Sequence, residues 1–156
     1  MKFKNRLIQA FACLCVFLSC FYSPAGAGAA QTTIPSRDKA MQIAVSANGV
    51  DVVYVLNDST AARELYAQLP MTIEVENYGG IEKIFYPPKK LATSDTPLVK
   101  SAKNGTLAYY APWGDVVMFY DRFGAASGLY ELGHAISGAE HIRNLSGTIQ
   151  IGIVTD

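Results

Sequence analysis

The sequence predicts a mainly β domain, closed into a barrel or a closed sandwich, behind a secretory leader. Three observations predict it. Seven or eight short strand-like runs follow one another from Met41 onward, punctuated by Gly, Pro and Asn. Only two short segments carry a helical pattern. The first 30 residues differ in composition from everything after them.

Met1-Lys2-Phe3-Lys4-Asn5-Arg6 is basic, Ala10 to Tyr22 is apolar, and Ala25-Gly26-Ala27-Gly28-Ala29-Ala30 is built of small residues. Basic head, apolar middle and small-residue end make an export signal, expected over residues 1–30. Pro24 and Gly26 interrupt the run before it reaches the roughly 20 residues a membrane-spanning helix needs, so no membrane span is expected after cleavage. Ala25-Gly26-Ala27 has the A-x-A form, which predicts a cut after Ala27 or Ala30. Leu18-Ser19-Cys20 resembles a bacterial lipoprotein box and offers the competing mode, a lipid anchor at Cys20. Phe17 and Phe21 suit that box poorly, so simple cleavage into the periplasm or the medium is favoured.

Removing the signal changes the charge. Thirteen basic and 13 acidic side chains balance over the whole chain. Lys2, Lys4 and Arg6 leave with the signal, which has no acid, and the remainder carries ten basic against 13 acidic groups. No basic patch is left, so nucleic acid is not an expected partner. Cys13, Cys15 and Cys20 all lie in the signal. The domain behind it has no disulfide and no thiolate metal site, and its stability must come from a packed core.

Residues 31–40 read as a flexible leader and residues 41–156 as the barrel domain. Gln42 to Ser46 alternates polar and apolar, Asn48-Gly49 is a hairpin signal, and Val50 to Leu56 is the return strand. Asn57-Asp58-Ser59-Thr60 supplies capping residues for a helix over 61–69, with an apolar stripe of Ala62, Leu65, Tyr66 and Leu69, stopped by Pro70. Met71 to Glu76 alternates as a strand, Tyr78-Gly79-Gly80 turns the chain, and Ile81 to Tyr86 is the next strand, ended by Pro87-Pro88.

Residues 89–106 form a long loop. Leu107 to Ala111 and Val116 to Phe123 are strands joined by the turn Pro112-Trp113-Gly114-Asp115. Residues 124–128 are a small-residue loop, and Leu129 to Leu132 is extended again. A short helix over 137–145 and a strand from Thr148 to Val154 complete the domain.

Most catalytic templates find no match. There is no thiol nucleophile in the domain. His134 and His141 have no carboxylate at ligand spacing, so no metal is expected. No nucleophile elbow, phosphate loop or dinucleotide fingerprint occurs, and no cofactor is expected.

An aromatic cluster with one arginine stands out: Tyr109, Tyr110, Trp113, Phe119, Tyr120, Arg122, Phe123 and Tyr130. If Val117 and Phe119 point inward, Met118, Tyr120 and Arg122 point outward and could line a groove. Trp113, between Pro112 and Gly114, is expected to be a buried corner as well as a groove wall. The ligand-binding candidates are Tyr86, Tyr110, Trp113, Met118, Tyr120, Glu131 and His134. Arg122 is the catalytic candidate, with an ion pair to Asp115, Asp121 or Glu131 as the alternative. Arg37, Arg63 and Arg143 have solvated explanations.

Several stretches resemble the bacterial cyclophilin-like proteins. They are Leu56 to Arg63, Leu69-Pro70-Met71-Thr72, Tyr78 to Lys83, Gly128-Leu129 with Leu132-Gly133, and above all Tyr109-Tyr110-Ala111-Pro112-Trp113-Gly114-Asp115-Val116 with Phe119-Tyr120. The resemblance spans about residues 41–154. It implies a closed cyclophilin-like β-barrel with two short helices over its ends. Authentic cyclophilins are prolyl isomerases that set an outward-facing arginine beside a proline pocket. This sequence lacks their Phe-His-Arg and Phe-Met-Gln segments. Two functions therefore compete: a module that binds a small molecule or peptide without catalysis, and a prolyl isomerase-like folding helper using Arg122. A structural barrel that associates through the same aromatic face is a third.

Overall fold

The computed structural model describes residues 40–155. The expected signal, and all but the last residue of the expected leader, lie outside the described residues. Eight strands, one α-helix and one 3-10 helix make up the domain.

β1 (Gln42–Ala47) and β2 (Val50–Leu56) form the hairpin that the Asn-Gly signal predicts. Both turn residues adopt positive φ, 53° at Asn48 and 78° at Gly49, which is what a two-residue hairpin turn demands. α1 (Thr60–Tyr66) follows, and the Ser59 side chain accepts a hydrogen bond from the Ala62 N–H at its start. The helix is shorter than its apolar stripe, because Gln68 and Leu69 donate to carbonyls three residues back as the chain turns toward Pro70.

β3 (Met71–Tyr78), β4 (Glu82–Phe85), β5 (Thr106–Tyr110) and β6 (Asp115–Phe119) come next. β7 (Leu129–Ser137), the 3-10 helix (Ala139–Asn144) and β8 (Gly147–Ile153) end the domain. The strands close in the order β1-β2-β7-β5-β6-β4-β3-β8, with β8 back on β1. Every pairing is antiparallel. Closure leaves no sheet edge exposed.

β7 runs five residues beyond its expected end at Leu132 and joins β2 to β5 through two register shifts. Gly133 stands at this crossing, where a Cβ would collide with the carbonyl oxygen of Val55, so only glycine allows the strands to approach this closely.

The barrel interior holds Ile43, Val45, Val52, Tyr54, Phe85, Leu107, Tyr109, Val116, Met118, Leu132, Ile149 and Ile151. Ala61, Ala62 and Leu65 of α1 and Ile142 of the 3-10 helix belong to the same core. A second apolar cluster lies on the opposite face of the sheet: Ile84, Ala108, Val117, Phe119 and Leu129, joined by Val99 and Ala102 from the long connection after β4.

This second cluster corrects the expected orientation of β6. Met118 and Tyr120 face the barrel interior, and Val117 and Phe119 face outward. All five residues of β6 are buried, so neither face is marked by polar residues and the alternation cannot reveal which side is core. The strand also ends at Phe119 rather than Phe123, with one further bond against β4 from the Tyr120 N–H to the carbonyl of Ile81 (3.0 Å).

The connection from Tyr86 to Gly105 is tied down along its length. Gln68 accepts from the Lys89 N–H (2.8 Å) and donates to the Lys89 carbonyl (3.2 Å). Glu64 accepts from the Ala92 N–H (2.7 Å), and the Leu91 N–H donates to the Tyr109 hydroxyl (3.1 Å). Asp95 accepts from the Thr60 N–H (2.8 Å), which holds its carboxyl below the usual range. Isolated bridges pair Leu98 with Tyr130 and Ala102 with Phe123.

Candidate functional site

The site lies on the outer face of the barrel. Directly opposed residues of antiparallel strands share a face. The pairs Tyr110–Asp115, Ala108–Val117, Ile84–Val117 and Glu82–Phe119 therefore place Asp115, Val117 and Phe119 in one outward row. That row floors a cleft of about 350 Å³, a volume suited to a small molecule.

Three connections wall it. The β3–β4 turn contributes Tyr78 and Gly79, the β5–β6 turn contributes Trp113, and the β6–β7 connection contributes Phe123 and Ala126. Trp113 stands edge-on to Tyr78, with centroids 5.2 Å apart at 87°, and to Tyr110 at 5.5 Å and 79°. Phe123 stacks on Phe119 at 5.7 Å. The Gly79-Gly80 and Gly114 backbones take positive φ, so these turns are tight enough to set Tyr78 and Trp113 close to the floor.

Two carboxyls interrupt the apolar lining, Glu82 and Asp115. They stand at opposite ends of the floor, because Glu82 is opposite Phe119 while Asp115 begins β6. Asp115 is 2% exposed, and its Oδ1 is buried without a hydrogen-bond partner. Burial pushes its carboxyl above the usual range. Burial, and then the charge of Asp115, push Glu82 up to about 7. Just past β4, burial and then Asp115, Glu76 and Tyr78 raise the Tyr86 phenol. Among the described residues, no ion pair includes Glu82 or Asp115.

The sequence-derived candidates separate cleanly. Tyr110 and Trp113 line the cleft. Tyr86 is exposed near Asp115 without lining it. Met118 and Tyr120, expected on a surface groove, are instead inside the barrel, and the Tyr120 hydroxyl donates to Asn77 (2.7 Å) beneath the guanidinium of Arg143. Glu131 is half-buried on β7, where its backbone bonds to Asn57 and Pro97. His134 is exposed on β7 between Val55 and Thr106.

Arg122 lies in the connection after β6 with its side chain exposed, outside the lining. Its backbone N–H donates to Asp121, whose carboxylate pairs with Arg143 (3.7 Å). Trp113 is 48% exposed, so it is a cleft wall and not the buried corner expected of it. Glu82, Asp115, Tyr78, Phe119 and Phe123 were not among the candidates. Their signal in the sequence is positional: each carboxyl follows closely on a glycine turn that carries an aromatic residue, Tyr78-Gly79-Gly80-Ile81-Glu82 and Trp113-Gly114-Asp115.

A closed eight-stranded antiparallel barrel with short helices and an aromatic cleft on its outer face defines the structural class. The chain belongs to the cyclophilin-like family, whose model matches residues 45–154. Among solved structures it is similar to the solution structure of the hypothetical protein AF2241 from Archaeoglobus fulgidus. That similarity has a TM-score of 0.57 and 16% sequence identity, over 78% of this chain and 100% of the other. At that identity the likeness speaks for the fold alone. No curated protein matches the sequence.

Proposed function

We propose that this is an exported binding module, which takes a small molecule or a short peptide segment in the outer cleft and does no chemistry of its own. The observation that supports it is the cleft itself: an apolar, aromatic-walled cavity of about 350 Å³ with two polar groups on its floor. Export rests on the basic, apolar and small-residue pattern of residues 1–30. Prolyl isomerisation has less support. Lowering its barrier of roughly 20 kcal/mol calls for a donor aimed at the prolyl nitrogen. Among the described residues no arginine lines this cleft, and Arg122 stands outside it.

Trp113 is the only tryptophan of the chain, so its fluorescence reports on this cleft. The purified domain is titrated with 2-phenylethanol, 2-phenylethylammonium, phenylacetate and a capped Ala-Pro-Phe peptide. A saturable emission change with at least one of them is expected. Silence with all four overturns the binding reading. Acceleration of Xaa-Pro isomerisation by the wild-type domain overturns its non-catalytic part.

A further inference from the structure

We infer that the cleft selects a small organic ammonium ion, its charge taken by Asp115 while Glu82 adds negative potential from the far end of the floor, and its apolar body laid against Tyr78, Tyr110 and Trp113. The inference rests on the binding reading above and names the ligand class for that site.

Asp115 carries the argument. A carboxyl that is 2% exposed, with an oxygen that nothing reaches, is costly to keep unless a ligand supplies the partner. It lines the cleft, so a cation seated there lies close enough to offset the cost of its ionisation. Among the described residues, no cation pairs with it in place of a ligand. Lys90 lays the stem of its side chain across Gly114, but no ion pair joins it to Asp115. Lys83 lies between Glu82 and Ile84 on β4, so its side chain leaves the opposite face of the sheet.

The walls point the same way. The faces of Tyr and Trp rings attract cations and repel anions, and three such rings meet around Trp113. An anionic ligand would meet two carboxyls, and a neutral one could donate a hydrogen bond to Asp115 but would bring no charge to balance it. The lining otherwise consists of Ile81, Val117, Phe119, Phe123, Ala126 and Leu129, which calls for an apolar body behind the charge.

The test uses three probes of similar size, 2-phenylethylammonium, 2-phenylethanol and phenylacetate, read by Trp113 emission near pH 8. The ammonium is expected to bind about tenfold more tightly than the alcohol, with the carboxylate weakest. The Glu82→Gln and Asp115→Asn variants should each reduce that preference while still binding the alcohol. Should Asp115→Asn fail to fold, the wild type gives a second reading. Acidification to about pH 5, which protonates Glu82, should weaken the ammonium and spare the alcohol. The other titratable groups facing the pair are Tyr78, Tyr86 and Glu76, with Lys90 at the rim.

Equal or tighter binding of the alcohol overturns the inference and leaves the binding module standing. A preference that survives both variants, or one that is unaffected by acid, overturns it as well. No response to any of the three probes overturns the inference, and silence with the capped peptide as well removes the binding reading.

Discussion

Trp113 meets Tyr78 edge-to-face at 5.2 Å and thereby joins the β5–β6 turn to the β3–β4 turn above the outer face of the barrel. The two residues are 35 positions apart in the chain and are brought together because β4 pairs with both β3 and β6. The contact defines one wall of the cleft and holds two loops in register. Trp113→Ala should cost about 1–3 kcal/mol, the worth of two aromatic edge contacts and a half-buried ring, against about 3–5 kcal/mol for a fully buried one. Urea unfolding measures it. A loss at the upper end would mean that the ring is a structural corner after all.

Met118 provides a sharper test of strand orientation. It is fully buried in the barrel interior, so Met118→Ala should cost about 2–5 kcal/mol through the cavity it leaves. Had it faced a surface groove, the change would have been nearly silent. Val117→Ala should also destabilise, by less, because its side chain packs in the smaller outer cluster. Equilibrium denaturation of both variants decides the matter, and a silent Met118→Ala would reverse the assignment of faces.

These two residues also show where the sequence was readable. The Asn48-Gly49 hairpin, the Ser59 cap and the alternation of β3 carry local signals, and each element formed where those signals stood. β6 carries no such signal, because residues from distant connections, Val99, Ala102, Trp113 and Phe123 among them, surround its outer face and leave all five of its residues buried. Which apolar row is core then depends on a distant loop, and no window of local sequence holds that information. Tyr110 and Trp113, which line the cleft, were legible as candidates because aromatics beside a Pro-Trp-Gly turn are conspicuous. Glu82 and Asp115 were not, since a single carboxylate at a strand start reads as solvated until the fold puts both beneath aromatic rings.

Arg122 should be dispensable for folding. Its side chain is exposed, and among the described residues it joins no ion pair, so Arg122→Ala should move stability by no more than about 0.5 kcal/mol. The Trp113 response to 2-phenylethylammonium should also be unchanged, since Arg122 lies outside the cleft lining. Lost binding with an unchanged melt would return Arg122 to the site.

Processing can be read directly. Expression with the native leader in a bacterial host should yield a mature chain beginning at Gly28 or Gln31, following the A-x-A pattern. Intact-mass measurement of the exported protein checks this. A diacylglycerol mass on Cys20 would establish the lipoprotein mode instead.

The two cleft carboxyls should give the domain an unusual stability profile. Both have folded-state values raised above their ordinary ones, Glu82 from 4.5 up to about 7, and burial is the first cause for each. A raised carboxyl binds its proton more tightly in the folded state than in the unfolded chain. Its contribution is fully present below about pH 4.5 and is lost as pH rises through the folded value near 7. Asp95 has the opposite sign, but it is exposed and its value is lowered, so it loses its contribution only in more acidic solution.

The melting temperature of the unliganded domain should therefore fall as pH rises from about 5 to 8, where ordinary carboxylates have finished titrating. Glu82→Gln should flatten that slope, and it and Asp115→Asn should each leave the domain more stable at the alkaline end. Saturating 2-phenylethylammonium should do the same to the wild type, because an ammonium ion beside Asp115 removes the cost of its ionisation. Thermal melts across that range, with and without the amine, test all three expectations. A flat wild-type profile would mean that water already solvates both carboxyls in the folded protein.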